Sequence, residues 1–290
     1  MSGFFHNKEL PIMLLLASIA LSVIIWGFLF NLKFAIALIV AIFIHEYGHF
    51  YWMGREGIKN KDMMFIPPFG AVARAKEYWP SYGAELRIAL AGPVFGLLSV
   101  ALFWILYLIY QKDIFLASAG LACSINLFNL VLPIPILDGG RVIKSILYSI
   151  NQWLGDAFYI FGFIFIVFTF LSGYLSAPIL LLIGYFLYSE WNYVRHSRQA
   201  LATMNLKRTF LENRGADLKV FGRDAEAVIG FSKEEFSKLD AIVNLKRMTT
   251  KEMILGTSVF LILIGSYALI LYYLSQHINL SMAGIQSYFK

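Results

Sequence analysis

Two histidines and a glutamate lie close together inside an apolar stretch of the sequence. The segment AIFIHEYGHF contains His45, Glu46 and His49. In a helix, residues at i and i+4 share one face about 5 to 6 Å apart, which suits two imidazole ligands on one zinc ion. Glu46 follows the first histidine, as does the carboxylate that activates water in zinc enzymes with the pattern HExxH. The alternative interpretation is a structural polar cluster without a metal.

A third ligand is required, because a catalytic zinc ion usually has three protein ligands and one open position. Asp138 lies in the segment NLVLPIPILDGGR, where two prolines break a helix and Gly139 and Gly140 permit a tight turn. A helix break at membrane depth leaves backbone groups unsatisfied unless the segment lines a cavity. We therefore expect Asp138 to be the third ligand. The alternative is an ordinary aspartate at a helix end.

Other potential ligands fit this site less well. Cys123 is the only cysteine, which excludes an internal disulfide, and its position deep in an apolar run is typical of a packing residue. Glu77 lies among the charges of a loop. The other histidines lie in polar flanking segments, where a surface role is the default; they are His6, His196 and His277.

The composition requires a membrane around the elements that carry these residues. Hydrophobic residues make up 59% of the 290 positions and charged residues only 14%, against about 45–50% and about 25% in soluble domains. Seven apolar runs predict spanning helices, of which the first is expected to be a membrane helix rather than a signal peptide. The sixth and seventh runs, separated by Ser172 and Gly173, predict a helical hairpin. The runs are residues 11–30, 34–53, 86–110, 114–135, 157–173, 175–193 and 253–275.

The basic residues are distributed unevenly over this arrangement. If the N-terminus lies inside, 21 of the 24 lysines and arginines fall on the cytoplasmic side or at its edge. Such a bias is typical of membrane proteins and explains the net charge of +6 without a nucleic-acid partner. We therefore expect the N-terminus and the HExxH segment to face the cytoplasm and the C-terminus to lie outside.

The distribution of polar residues predicts three parts of the chain. Residues 1–193 form a membrane-embedded core, residues 194–252 a small cytoplasmic segment or subdomain, and residues 253–290 the last membrane helix with an external tail. Within the polar segment, apolar periodicity predicts helices around residues 197–211 and 232–245.

Several motifs in this order resemble the site-2 protease family, the intramembrane zinc metalloproteases, over residues 34–145. The matching pieces are HEYGH at 45–49, FGAVARA at 69–75, AGP at 91–93 and the segment from Asn129 to Gly140. In that family HExxH and LDGG lie on two helices that meet at a zinc ion within the membrane. The resemblance therefore implies one zinc ion per chain with His45, His49 and Asp138 as ligands, and Glu46 as the general base.

The family also has an asparagine that binds the substrate carbonyl or its oxyanion, eight positions before the aspartate. Here Asn129 lies nine positions before Asp138, so one residue is inserted. We assign the role to Asn129, with Asn126 as the second choice because it lies three residues earlier on nearly the same helix face. The alternative for both is hydrogen bonding between helices. Gly92 and Pro93 of the AGP motif are expected to have a packing or kinking role.

The stretch FIPPFGAVARA corresponds to a β-hairpin in the family, with a free edge that could pair with an unwound substrate. The alternative is an ordinary loop with an apolar patch. The predicted fold is thus an all-α polytopic membrane protein of about seven transmembrane helices with a small membrane-associated β-hairpin near residues 62–77.

The expected function is zinc-dependent cleavage of a transmembrane or membrane-proximal helix in a partner protein of the lipid bilayer. Family habit suggests a bacterial or archaeal cell membrane, with regulated intramembrane proteolysis or clearance of signal-peptide remnants as the process. One alternative is an inactive zinc-binding membrane adaptor, although the HExxH motif is intact. Another is a metal transporter, which should show ligands on several spans or inverted-repeat halves, and the sequence shows neither.

Overall fold

Helices dominate the structure. A computed structural model of the chain describes residues 10–67, 70–75, 79–213, 239–240 and 243–289. The elements are α1 (Leu10–Leu29), α2 (Leu32–Arg55), β1 (Lys61–Ile66), β2 (Gly70–Ala75), α3 (Tyr82–Tyr110), α4 (Asp113–Val131), α5 (Asp138–Ile150), α6 (Gln152–Leu171), α7 (Ala177–Asn213), α8 (Thr250–Ser275) and α9 (Met282–Ser287).

Six of these helices are long and apolar enough to cross a membrane: α1, α2, α3, α4, α6 and α8. About half of the residues in α2, α3 and α4 are buried within the protein, whereas most residues of α1, α6 and α8 are at least partly exposed. Apolar side chains in such numbers require a lipid environment. The predicted all-α polytopic membrane fold with a small two-stranded sheet is therefore confirmed.

The predicted hairpin of the sixth and seventh runs is formed by α6 and α7. Gly173 adopts a positive φ of 78° in the connecting turn, a conformation that glycine adopts without strain. Beyond the turn α7 runs back along α6, since Gly184 lies against Ile166 and Arg198 bonds to Asp156 at 2.7 Å. Helix α7 is not among the six helices that are long and apolar enough to cross a membrane, so the predicted seventh crossing stays a prediction.

Helix α3 lies at the centre of the bundle and packs against α2, α4, α5 and α8. Small residues allow the close approach of its neighbours. A Cβ on Gly48 would lie 2.5 Å from the carbonyl oxygen of Ala91. The Tyr267 hydroxyl of α8 donates a 2.6 Å hydrogen bond to the carbonyl oxygen of Pro93, inside α3. These contacts fix the helices that carry the sequence motifs.

The two strands form an antiparallel hairpin in which Met63 is paired with Ala73 and Phe65 with Ala71. The hairpin contacts α1 and α2 on its two outer edges. The Phe65 backbone N–H donates to Ser18 Oγ in the middle of α1 at 3.1 Å, and β2 contacts the HExxH segment of α2. The predicted hairpin near 62–77 is thus present at 61–75, and residues 76–78 lie outside the described residues.

After α8 the chain folds back across the end of the bundle where α2 and α4 begin, which we call the distal end. Ile278, Ile285 and Phe289 are buried there. The Phe289 ring packs edge-on against Phe34 at a centroid distance of 5.3 Å. Segment 276–289 is therefore packed against the bundle, and its position on the external side stays a prediction.

The polar segment before α8 is only partly described. The predicted helix at 197–211 is confirmed, because α7 continues to Asn213. The predicted helix at 232–245 lies largely outside the described residues, and the division into three parts stays a prediction. Helix α8 begins with a capping box in which the Thr249 side chain and Glu252 bond to each other's backbone N–H groups.

Candidate metal centre

His45 and His49 lie on one face of α2 and are buried, with 5% and 4% of their surface exposed. Their Nε2 atoms are 3.1 Å apart. Each Nδ1 atom faces a fixed partner at 2.7 Å: Asn126 Oδ1 for His45 and the carbonyl oxygen of Ile88 for His49. The two rings are thus held from behind by α4 and α3, with their Nε2 atoms facing the same space.

These partners determine which ring nitrogen carries the proton. A carbonyl oxygen only accepts, so Nδ1 of His49 is the donor. The amide of Asn126 donates through Nδ2 to the Ala122 carbonyl at 2.8 Å, which leaves Oδ1 to accept from Nδ1 of His45. In the neutral state both histidines therefore present unprotonated Nε2 lone pairs, the form in which imidazole binds a metal.

Asp138 completes the cluster from the first residue of α5. Its Oδ2 atom lies 3.0 Å from Nε2 of His45 and 3.3 Å from Nε2 of His49. Three acceptor atoms this close repel one another unless a cation or protons lie among them. Ligands about 2.0 to 2.1 Å from a tetrahedral zinc ion are separated by roughly 3.3 Å, so the donor set and its spacing fit zinc.

The two candidate asparagines occupy different places. Asn129 lines the cavity beside the cluster: its Nδ2 donates to Asp138 Oδ2 at 2.6 Å, its Oδ1 accepts from the Asp138 backbone N–H at 3.2 Å, and Nδ2 lies 3.3 Å from Nε2 of His45. Asn126 is only 1% exposed, and its Oδ1 accepts from Nδ1 of His45. Of the two asparagines, Asn129 is the one that lines the cavity, whereas Asn126 orients the His45 ring.

The inserted residue between these motifs does not turn Asn129 away from the site. Helix α4 ends at Val131, and Leu132 is already extended with φ −69° and ψ 125°. Short turns at 132–137 then lead into α5. Since the backbone leaves the helix after Val131, Asn129 still reaches Asp138.

Glu46 lies beside the two histidines, and ligand atoms of all three side chains lie within 4.8 Å of one another. Its Oε2 accepts a 2.8 Å hydrogen bond from the backbone N–H of Ala73 in β2. The carboxylate lines the cavity. The hairpin thus holds one oxygen of Glu46 and leaves the other for a reactant.

Glycines at three positions allow backbone to approach the site; for Gly92 this agrees with the packing role expected from the sequence. A Cβ on Gly92 of α3 would lie 2.2 Å from Nε2 of His49. A Cβ on Gly139 or Gly140 would lie 1.7 or 1.8 Å from a carbonyl oxygen of the α4–α5 connection. The two glycines after Asp138 have no positive φ, so close packing, rather than the tight turn we expected, explains them. The AGP and DGG patterns were the available signals.

A buried ion cluster fixes the position of α5 and hence of Asp138. Lys144 Nζ lies 2.7 Å from a carboxylate oxygen of Glu85 in α3 and 2.7 Å from one of Glu190 in α7. Burial alone would lower the pKa of Lys144, but the charges of Glu190 and Glu85 raise it above its usual value. Buried charges need such partners, so the cluster joins three helices. No local pattern predicts this cluster, because its members are far apart in the chain.

A cavity of about 600 Å³ connects these residues. Its walls come from α2, β2, α4 and α5, and its distal end is formed by segment 276–289. The remaining candidates lie elsewhere. Cys123 is buried and its Sγ contacts the Tyr267 carbonyl at 3.3 Å, as expected of a packing residue. His196 and His277 are exposed, whereas His6 and Glu77 lie outside the described residues.

Two comparisons with known proteins bear on this site. Residues 33–118 match the family model described as Peptidase family M50. The matched range contains the HExxH segment but not Asp138. A curated relative, zinc metalloprotease MJ0392 of Methanocaldococcus jannaschii, is 34% identical over 147 residues, which cover 47% of this chain and 40% of the relative. The chain thus spans less than half the length of that relative. The motifs, the fold and both matches support the resemblance to peptidase family M50, the site-2 protease family.

Proposed function

We propose that this protein is a zinc-dependent intramembrane endopeptidase that cleaves a transmembrane or membrane-proximal helix of a partner protein. The observation that carries the proposal is the convergence of two Nε2 lone pairs and one carboxylate oxygen within 3.0–3.3 Å of each other. The site is built on helices long enough to span a membrane. A hydrolytic site in that position has membrane proteins as its accessible substrates.

His45, His49 and Asp138 would hold the metal. When bound, zinc acts as a Lewis acid that polarises the scissile carbonyl and lowers the pKa of water. Glu46, with Oε2 held by β2, would accept a proton from the attacking water and pass it to the leaving amine. Asn129 places an amide N–H donor beside the cluster, where it would bind the substrate carbonyl and stabilise its developing negative charge.

The edge of β2 offers a place for the unwound substrate. Ala73 directs its N–H away from β1 toward Glu46, and Ala71, two residues earlier, has the same orientation in the strand. Since a peptide bond within an α-helix is inaccessible to water, the substrate must be extended near the site, and its backbone groups then need partners. Pairing with the outer edge of β2 supplies them.

The charge bias of the sequence supports an orientation of the site. We propose that the N-terminus and the end of the bundle where α2 ends and α5 begins face the cytoplasm of a bacterial or archaeal cell membrane. The packing of α7 along α6 supports an odd number of crossings, which leaves segment 276–289 on the outer side.

The experiment is co-expression with tagged single-span substrates, comparing wild type with Glu46→Gln. We expect cleavage by the wild type and none by the variant, with one zinc ion per chain in both. Asp113→Asn is the matched carboxylate-to-amide control, because Asp113 is exposed at the start of α4. Normal cleavage by Glu46→Gln would refute the assignment of the base. Zinc binding without cleavage by any form would favour the adaptor.

A further inference from the structure

Segment 276–289 closes the distal end of the catalytic cavity. Leu280, Met282 and Ile285 line the same cavity as Glu46 and Asp138. The Leu280 side chain lies directly against α4, where a Cβ added to Gly120 would meet its Cδ2 atom at 2.8 Å. This end of the cavity is therefore filled by protein side chains.

The side of the cavity is open instead. Phe128 lines the cavity from α4 and is 63% exposed on a helix that crosses the membrane. Exposed aromatic surface on a spanning helix faces lipid. A substrate helix would therefore reach the site sideways, past Phe128, and would not run along the cavity axis from the distal end.

The depth of the cavity follows from the positions of two residues in α4. Gly120, which marks the distal wall, lies nine residues before Asn129, which marks the metal centre. At about 1.5 Å per residue the two levels are about 14 Å apart. An extended chain advances about 3.3 Å per residue, so about four residues fit between the scissile bond and the wall.

We infer that segment 276–289 is a specificity-determining wall that limits the unwound substrate to about four residues on the distal side of the scissile bond. The inference rests on the proposed proteolytic function and deepens it. A longer unwound stretch would have to bulge into lipid, where its backbone N–H and C=O groups have no partners. Substrates are therefore selected by the distance between the bond to be cut and the end of their intact helix.

The test uses single-span substrates with a Gly-Gly helix break placed two, four, five or six residues on the distal side of the cleaved bond. The cavity is made deeper by a Leu280→Ala, Met282→Ala double variant and shallower by Met282→Trp. Met282 is 59% exposed, so its replacement leaves the fold intact. Gln286→Ala is the control, since Gln286 lies on the same short helix but lines a separate surface pocket with Phe30. Cleavage positions are read by mass spectrometry of the fragments.

We expect the wild type and Gln286→Ala to cleave substrates with a break at two or four residues and to cleave the six-residue substrate about tenfold more slowly. The double variant should extend the limit to five residues, and Met282→Trp should shorten it by about one. An identical limit in all variants that retain zinc would overturn the inference. Absence of cleavage by the wild type would instead count against the proposed function, so the two failures are distinguishable.

Discussion

The substitution Gly92→Ala provides a sharp test of the proposed metal centre, because it adds one methyl group where α3 passes the two histidines. The new Cβ would lie 2.2 Å from Nε2 and 2.4 Å from Cε1 of His49, and 2.8 Å from Nε2 of His45. Ordinary contacts begin at 3.4 Å, so the ring or α3 must move by about 1.2 Å. Zinc sites tolerate ligand displacements of only about 0.2 Å. We expect zinc affinity to fall at least tenfold, and cleavage with it.

The assay is zinc per purified chain by mass spectrometry, with affinity measured by competition with a chelator. Gly265→Ala is the matched control: Gly265 lies in the spanning helix α8 and its added Cβ would meet no atom within 4 Å. Alanine stabilises a helix relative to glycine by about 1 kcal/mol, and this effect is common to both variants. A loss of zinc affinity in Gly92→Ala alone is therefore due to the clash with the histidines. Thermal unfolding in chelator compares the two apo proteins. Normal zinc content and affinity in Gly92→Ala would refute the proposed role of these rings as ligands.

Three further predictions concern the supports of the site. Asn126→Leu removes the acceptor for Nδ1 of His45, so zinc affinity should fall about 10- to 100-fold, whereas Asn126→Asp should retain most of it; equal affinities in a chelator titration would contradict this. Lys144→Met removes the cation nearest to both Glu85 and Glu190 and leaves Glu85 only Arg141 at 3.8 Å, so it should destabilise the fold by up to roughly 3–5 kcal/mol, seen as a lower unfolding temperature. The Arg87 guanidinium lowers the pKa of Glu56. Their ion pair therefore stabilises the fold fully at pH values above the usual glutamate pKa, and this stabilisation is lost as the pH falls through the lowered pKa. Arg87→Met should therefore show a smaller loss of thermal stability between pH 6 and pH 3 than the wild type, and an equal loss would count against the pair.

Features encoded by local patterns could be predicted from the sequence. The i and i+4 spacing within one helix already places His45 and His49 on the same face, and the long apolar runs define the spanning helices. The β-hairpin also lies within two residues of its predicted limits. In each case the structure follows from residues close to one another in the chain.

Features that depend on contacts between distant residues could not be predicted in this way. The functional difference between Asn126 and Asn129 arises because α2 packs on one face of α4 and α5 meets its end. The roles of Gly92 and Lys144 likewise depend on partners in other helices. The packing of segment 276–289 against the bundle, through isolated apolar residues such as Ile278, likewise depends on distant partners.

The two-stranded sheet joins a membrane-facing helix to the residue proposed to transfer the proton. In β1 the Phe65 N–H donates to Ser18 Oγ of α1 at 3.1 Å, and in β2 the Ala73 N–H donates to Glu46 at 2.8 Å. Only 6% of the membrane-crossing residues of α1 are buried within the protein, the lowest share of the six spanning helices, so we expect α1 to be the helix most directly subject to changes in the bilayer. We expect its tilt or depth, as set by bilayer thickness, to be transmitted through the hairpin to the orientation of the Glu46 carboxylate. Bilayer thickness would then affect the rate of proteolysis.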